Sequence, residues 1–395
     1  MGNEQTYAFV ITKDSLLYKI LPVISADQIE NYRKVLQPNF ITSNSAEIFN
    51  EYRESAYSLY QQILALLLEN IDQNNVNTLK IIPDGLLNLI PFETLITTPY
   101  DGLEGDYKSM PYLIKRFNVS YGYSTTSLFK MKSSDSFDNN ANAVLAFAPS
   151  EFVKSDETNG LSPLKWNTKE VRNLEGYFDC AISTEQLATE SNFKEKMQQY
   201  PVTHLAMHAV INHEDPMYSK LLFAPPQDTL EDGMLHTFEL YNMRLNTQMT
   251  VLSACNTGSG KLQKGEGVMS LARAFAYAGC PSVVMSHWAV DDKSTASLMK
   301  YYYENLSKGQ SKDVALRNAK LNFLENSSPV YHHPYYWNNF VVMGDTKPIV
   351  TPSVFHWWMV VLIVMGILVT IYTVISVRKS RIIINQPKKL IDDVI

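Results

Sequence analysis

Two side chains 47 positions apart carry the best-placed reactive chemistry of this sequence: the thiol of Cys255, in Thr250-Val-Leu-Ser-Ala-Cys-Asn-Thr-Gly258, and the imidazole of His208, in Val202-Thr-His-Leu-Ala-Met-His-Ala209. Each follows a short, continuous apolar run of the kind expected for a buried strand. A thiol attacks carbonyl carbon only as the thiolate. A neighbouring imidazole takes up its proton and later returns one to a leaving amine. Strands remote in sequence meet at a common sheet edge, so the separation is no obstacle.

Other histidines and cysteines are weaker candidates. His204 and His208 are four apart, which on a helix would present both to one metal ion. Their setting reads as a strand, along which four residues span about 13 Å. No glutamate lies between them, so the spacing implies no metal site. His204 lies inside the apolar run, whereas His208 is its last residue before the polar stretch Asn212-His-Glu-Asp-Pro216. Cys280 falls in the turn Ala278-Gly-Cys-Pro281 and Cys180 among small apolar residues, both settings of inert thiols.

With only three cysteines there is no basis for a disulfide framework or a zinc ribbon. A length of 395 residues at 45% hydrophobic and 19% charged residues is ample for a core and for two or three structural units. A net charge of −6, with no block of basic residues ahead of the C-terminal tail, argues against nucleic acid as a partner. No cofactor signature is present.

The elements that must position the pair follow from patterning. Residues 7–24 read as a hairpin turning at Lys13-Asp-Ser15, residues 46–74 as a helix, and Leu79–Gly85 as a strand and turn. A polar stretch at 132–142 marks a boundary. Beyond it, apolar runs at 143–149, 202–209, 249–254 and 282–285 alternate with helical segments near 168–176, 192–199, 267–278 and 293–306. A helix at 311–325 and a strand at 338–343 follow. Strands alternating with helices predict an α/β fold with a mostly parallel central sheet covered on both faces. Ligands bind beyond the carboxyl ends of such strands, where His208 and Cys255 are expected.

The sequence around both residues resembles the CHAT domain family of caspase-like cysteine peptidases, relatives of caspases and separase. The histidine block is His204-Leu-Ala-Met-His-Ala209 followed by Pro216-Met-Tyr-Ser-Lys-Leu-Leu222, and the cysteine block is Leu252-Ser-Ala-Cys-Asn-Thr-Gly258. Ile82–Gly85, Pro91-Phe-Glu-Thr-Leu95, Gly265-Glu-Gly267, Ala272–Phe275 and Trp288–Asp292 match in order. The resemblance covers about residues 55–345. It implies a caspase-like three-layer sandwich, with an N-terminal non-catalytic α/β half at 1–140 and a catalytic region at 141–346. It also implies Cys255 and His208 as a catalytic dyad, with the backbone N–H groups of Ala209 and Cys255 as the oxyanion hole. In separase-like relatives an aspartate of the segment holding Asp291 and Asp292 faces a basic P1 side chain. Asp292 is carried over in that role, with helix capping before Ser294 as its alternative. Glu266 is expected to position His208 or to cap a helix starting near Val268. Relatives often carry helical repeats upstream, so a repeat region or another regulatory protein is an expected partner beside the protein substrate.

A linker at 347–353 leads to 24 residues, 354–377, free of charged side chains apart from His356, and then to a basic tail at 378–395. This length and composition predict a single transmembrane helix in a lipid bilayer, with Trp357 and Trp358 at one interface. Arg378, Lys379 and Arg381 favour a cytoplasmic tail. The lack of a signal peptide favours instead a cytosolic catalytic unit held by a tail anchor, so the side of the membrane stays open. The expected function is a membrane-anchored cysteine endopeptidase. The alternative is a catalytically silent, membrane-tethered interaction scaffold.

Overall fold

The computed structural model describes residues 5–37, 46–69, 71–72, 75–131, 143–155, 157–226, 229–254, 261–263, 267–288, 291–350 and 357–384. The chain divides into two compact units, Met1–Val350 and Thr351–Ile395.

The first unit is organised by an eight-stranded sheet. Its strands are β3 (Thr78–Ile81), β4 (Asn118–Tyr121), β5 (Ala143–Ala148), β6 (Asp179–Thr184), β7 (Val202–Ala206), β11 (Met249–Ser253), β14 (Ser282–Ser286) and β15 (Phe340–Gly344). The spatial order is β3-β4-β15-β14-β11-β7-β5-β6. The block from β14 to β6 is parallel throughout. β15 runs antiparallel to β14, and β4 and β3 continue parallel to β15. Every residue of β5, β7, β11, β14 and β15 is buried. That burial on both faces is why these strands read as unbroken apolar runs rather than alternating ones.

Layers form on both faces of the sheet. On one, Ala146 and Ala148 of β5 and Ala206 of β7 pack with Val171 of α3 (Asn167–Arg172). These small side chains let the helix approach closely. On the other, Phe147 meets Phe193 of α4 (Glu190–Lys196) edge-on, and both rings pack against Phe223. The fold is therefore α/β with a mostly parallel central sheet between helical layers.

Strands β3 and β4 come from the first 140 residues and extend the same sheet through β15. The boundary expected at 132–142 lies outside the described residues. The first part also holds the hairpin of β1 (Thr6–Ile11) and β2 (Leu16–Leu21), as the pattern predicts. It also holds the helices α1 (Ala26–Val35) and α2 (Ala46–Tyr60), the latter prolonged by a π-turn at Gln61–Ala65 and a last turn at Leu66–Leu68. Tyr32 of α1 bonds the Thr94 hydroxyl, and Tyr52 of α2 donates to the Thr94 carbonyl at 2.7 Å. Glu93 beside it accepts from Lys320 of α7 (Lys312–Asn326) at 3.1 Å and from the Tyr121 hydroxyl. The block Pro91–Leu95 is thus a latch between the first helices and the sheet.

One helix boundary departs from expectation. Residues 267–269 form a strand, β13 (Gly267–Met269), paired antiparallel with β12 (Lys261–Gln263). The helix α5 (Leu271–Tyr277) begins later, capped by Ser270, whose hydroxyl accepts from the Arg273 N–H at 3.2 Å. The apolar residues Val268 and Met269 fit a helical period when joined to α5, and the capping serine is what separates them. Glu266 lies outside the described residues and four positions before that cap.

Among the described residues the second unit contains the helix α8 (Trp357–Ile384), whose described side chains, 362–378, are exposed. Among the described residues no helix is long and apolar enough to cross a membrane. The span expected over 354–377 is therefore not supported by them.

Candidate active site

The parallel pairing of β7 and β11 runs from Val202↔Met249 to Ala206↔Ser253. Both strands end at the same level of the same edge, and the Met207 N–H donates to the Ser253 carbonyl at 3.2 Å just beyond the ladder. His208 follows Ala206 by two residues, and Cys255 follows Ser253 by two. Cys255 itself lies outside the described residues, as do Gly258 and Gly260. Its neighbour Ala254 is buried, and its carbonyl accepts from the Ser286 hydroxyl at the end of β14. Three adjacent strands thereby converge on the peptide that leads into the cysteine.

His208 opens β8 (His208–Val210), the edge of a small antiparallel sheet with β9 (Lys220–Leu222) and β10 (Met234–His236). Its Nε2 lies 2.8 Å from the Ser162 carbonyl. A carbonyl only accepts, so Nε2 carries the hydrogen, and in the neutral ring Nδ1 is the remaining acceptor. Phe152 meets the ring edge-on at 5.0 Å between centroids. Ala209 sits next in β8, half-buried and opposite Leu221.

His204 has a different environment. It is fully buried, with Nε2 2.9 Å from Glu170 Oε1 on α3 and Nδ1 2.9 Å from the Tyr303 hydroxyl. Both ring nitrogens are engaged inside the helical layer, which makes His204 a core residue.

The two aspartates separate cleanly. Asp291, not Asp292, is the N-cap of α6 (Asp292–Ser307): its Oδ2 accepts from the Ser294 N–H at 2.8 Å. The capping role weighed for Asp292 belongs to its neighbour. Asp292 accepts from the Lys165 N–H at 3.1 Å through Oδ2. Burial pushes its carboxyl above the usual range, against the pull of the Lys165 N–H; nearby Glu170 and Asp291 raise it further and His208 lowers it. The loop between β5 and α3 therefore supplies a carbonyl to His208 and, three residues on, an N–H to Asp292. Asn167 anchors that loop, donating to the Pro149 carbonyl at 2.8 Å and the Ala206 carbonyl at 3.3 Å. Ser162 and Lys165 were not legible in the sequence because backbone groups carry no side-chain signature.

Among the described residues, Glu190, Glu231 and Glu239 bring carboxylate oxygens within 4.8 Å of one another. Lys194 Nζ lies among them at 2.7, 2.5 and 2.8 Å, so an ammonium group already occupies the position a cation would take.

The CHAT domain model matches residues 53–345 of the chain. Two curated relatives, Tetratricopeptide repeat protein 28 of Mus musculus and of Homo sapiens, are each 27% identical over 124 residues, 31% of this chain. The chain spans only 5% of their length. Among solved structures, the Arg-specific cysteine proteinase gingipain R aligns at 12% identity and a TM-score of 0.46, covering 82% of this chain and 74% of its own. Separase in the Saccharomyces cerevisiae separase–securin complex aligns at 11% identity and a TM-score of 0.41, covering 82% of this chain and 22% of its own. With about three quarters of its length matched by one family model, the chain belongs to the CHAT domain family.

Proposed function

We propose that the chain is a membrane-tethered cysteine endopeptidase in which Cys255 is the nucleophile and His208 the general base. The observation that carries this reading is the Ala206↔Ser253 register of β7 and β11, since each strand leads within two residues to one member of the pair. The His208 bond to the Ser162 carbonyl supports it, because a ring held through Nε2–H keeps Nδ1 as the acceptor for a thiol proton. In the first step His208 takes the Cys255 proton and Sγ adds to the scissile carbonyl carbon. Collapse of the tetrahedral species expels the amine, which leaves with the proton held by His208. Water, deprotonated by the same ring, then releases the acid and regenerates the thiol. The N–H groups of Ala209 and Cys255 would stabilise the oxyanion.

Asp292 is the residue we assign to a basic P1 side chain. Among the described residues its Oδ1 remains for a cationic partner while Oδ2 is held by the Lys165 N–H, and the half-buried setting strengthens attraction to a guanidinium or ammonium. Asp291 is committed to the helix cap. The relatives named for tetratricopeptide repeats support a helical-repeat region or separate protein as regulator. For residues 354–377 we propose insertion in a bilayer: α8 extends over Trp357–Ile384, and its described apolar side chains include Leu362, Ile363, Leu368 and Val369, all at least half exposed.

The test is covalent labelling with a peptidyl acyloxymethyl ketone bearing arginine at P1. The wild type is expected to label at Cys255, with no adduct in Cys255→Ala and labelling slowed by about 10²–10⁴-fold in His208→Ala. Asp292→Asn is expected to lower the rate with the arginine probe while sparing a norleucine analogue. Equal labelling of wild type and Cys255→Ala would remove Cys255 as nucleophile, and a probe-silent wild type would favour the scaffold.

A further inference from the structure

The β1–β2 hairpin presents an apolar face that stands exposed among the described residues. Along both strands exposure alternates, so that Tyr7, Phe9 and Ile11 of β1 and Leu16, Tyr18 and Ile20 of β2 share one face. All six are between 53 and 70% exposed. The register sets them directly across from one another as Tyr7↔Ile20, Phe9↔Tyr18 and Ile11↔Leu16. Other exposed large apolar residues of this unit, such as Leu103, Phe129 and Leu187, are scattered in sequence and need no explanation. The opposite face of the hairpin is occupied: Leu21 is buried, Ala8 packs on the core, and Lys19 pairs with Glu69.

We propose that this face is where two copies of the chain associate, hairpin against hairpin. Taking about 200 Å² for a fully exposed large apolar residue, the six positions present about 760 Å². That exceeds the ~300–600 Å² of the largest apolar patch on a typical monomer. It is close to the ~800 Å² that each partner contributes to a standard-size interface. The six side chains carry no charge, so they offer nothing to steer a charged ligand, and an apolar two-stranded surface is matched by another of the same twist stacked about 10 Å away.

The order of side chains selects the symmetry. A two-fold axis lying between the hairpins and crossing both strands at the Phe9↔Tyr18 pair sets Phe9 over Phe9 and Tyr18 over Tyr18. It then sets the bulkier Tyr7–Ile20 end over the slimmer Ile11–Leu16 end. The layer has even thickness, whereas a two-fold axis along the strands would stack the bulky ends together and leave a wedge. The contact is isologous and closes at two copies.

Sedimentation velocity of the full chain in mild detergent tests this. The wild type at micromolar concentration is expected to sediment at twice the protein mass of the Phe9→Lys/Tyr18→Lys variant, with both giving the same circular dichroism spectrum. A Phe9→Thr/Tyr18→Thr variant, which keeps strand propensity, is expected to be monomeric as well and guards against a misfolded lysine variant. A monomeric wild type would overturn the proposal, as would a dimer that survives both double substitutions. A Phe9→Trp variant reconstituted in phosphatidylcholine vesicles separates the remaining occupant: quenching by brominated acyl chains beyond that of the wild type would assign the face to a bilayer instead.

Discussion

Replacing His204 and His208 one at a time separates a packing role from a chemical one. In His204→Ala, Glu170 and the Tyr303 hydroxyl lose the ring that both now contact at 2.9 Å, and both partners are buried. Each buried polar group left without a partner costs about 1–3 kcal/mol, more when it is charged, and the missing ring leaves a void beside Ala206. The sum is a loss of about 3–5 kcal/mol. In His208→Ala the partly exposed ring gives up one bond to the Ser162 carbonyl, which water replaces, so the loss is at most about 1 kcal/mol.

The assay is urea unfolding followed by tryptophan fluorescence, run beside active-site labelling at a temperature where every variant is folded. His204→Ala is expected to lower the midpoint strongly with unchanged slope and to label within about tenfold of wild type. His208→Ala is expected to keep the midpoint and lose labelling. The reasoning is refuted if His204→Ala is as stable as wild type while losing labelling, or if His208→Ala is destabilised by 3 kcal/mol or more. A Glu170→Gln variant sharpens the reading, since an amide still meets the ring and is expected to recover most of the stability.

Two further predictions concern buried charge. Lys320→Met leaves Glu93 buried with only Tyr121 as partner and removes the donor to Asn338, with an expected loss of about 3–5 kcal/mol in urea unfolding; adding Glu93→Gln is expected to recover at least half. Stability is also expected to fall on acidification. Burial holds His287 down to about 4, against the opposing pull of Glu93, and His333 down to about 3. Both groups have folded values below the unfolded one, so their contribution is complete above pH 6.5 and is lost as pH falls. Burial raises Glu190 to about 7, and its contribution runs the other way, growing as pH falls from about 7 to 4.5. The two histidines outweigh the one carboxyl, so stability is expected to fall from pH 6.5 toward 4.5. His333→Phe is expected to make that fall shallower, measured by urea midpoints at four pH values.

The sheet was legible wherever burial was complete. β5, β7, β11 and β14 are buried along their whole length, and a run such as Val144-Leu-Ala-Phe147 has no other reading of that length. The strands that escaped notice are short or partly exposed: β4 has four residues, β6 is an edge strand around Cys180, and β8, β9 and β10 have three residues each, too few for a period to show. The region after the cysteine block was misread because Val268 and Met269 fall in phase with α5, and only the cap at Ser270 separates strand from helix. His208 stood out because the apolar run stops there. What holds it was invisible, since the Ser162 carbonyl belongs to a loop whose side chains announce nothing.

The blocks that carry the family resemblance divide by what their polar groups still have to give. Around Glu93 each carboxylate oxygen has a partner, Lys320 on one and Tyr121 on the other, while Lys320 also donates to Asn338 at 2.6 Å. Both carboxylate oxygens of Glu93 are thus engaged, and a buried charge there locks α7 to the latch. His204 is closed in the same way between Glu170 and Tyr303. His208 and Asp292 are held differently. Each is fixed by one backbone group of the same short loop, a carbonyl for the ring and an N–H for the carboxylate. Among the described residues each keeps one acceptor beyond that bond, Nδ1 on the ring and Oδ1 on the carboxylate. A side chain anchored at one atom and unused at the next is oriented without being neutralised, which is what proton transfer and cation recognition require. The loop from Ser162 to Lys165 is therefore the element to perturb if the two residues work together: shortening it by one residue would misdirect both at once, whereas either single substitution disturbs only its own step.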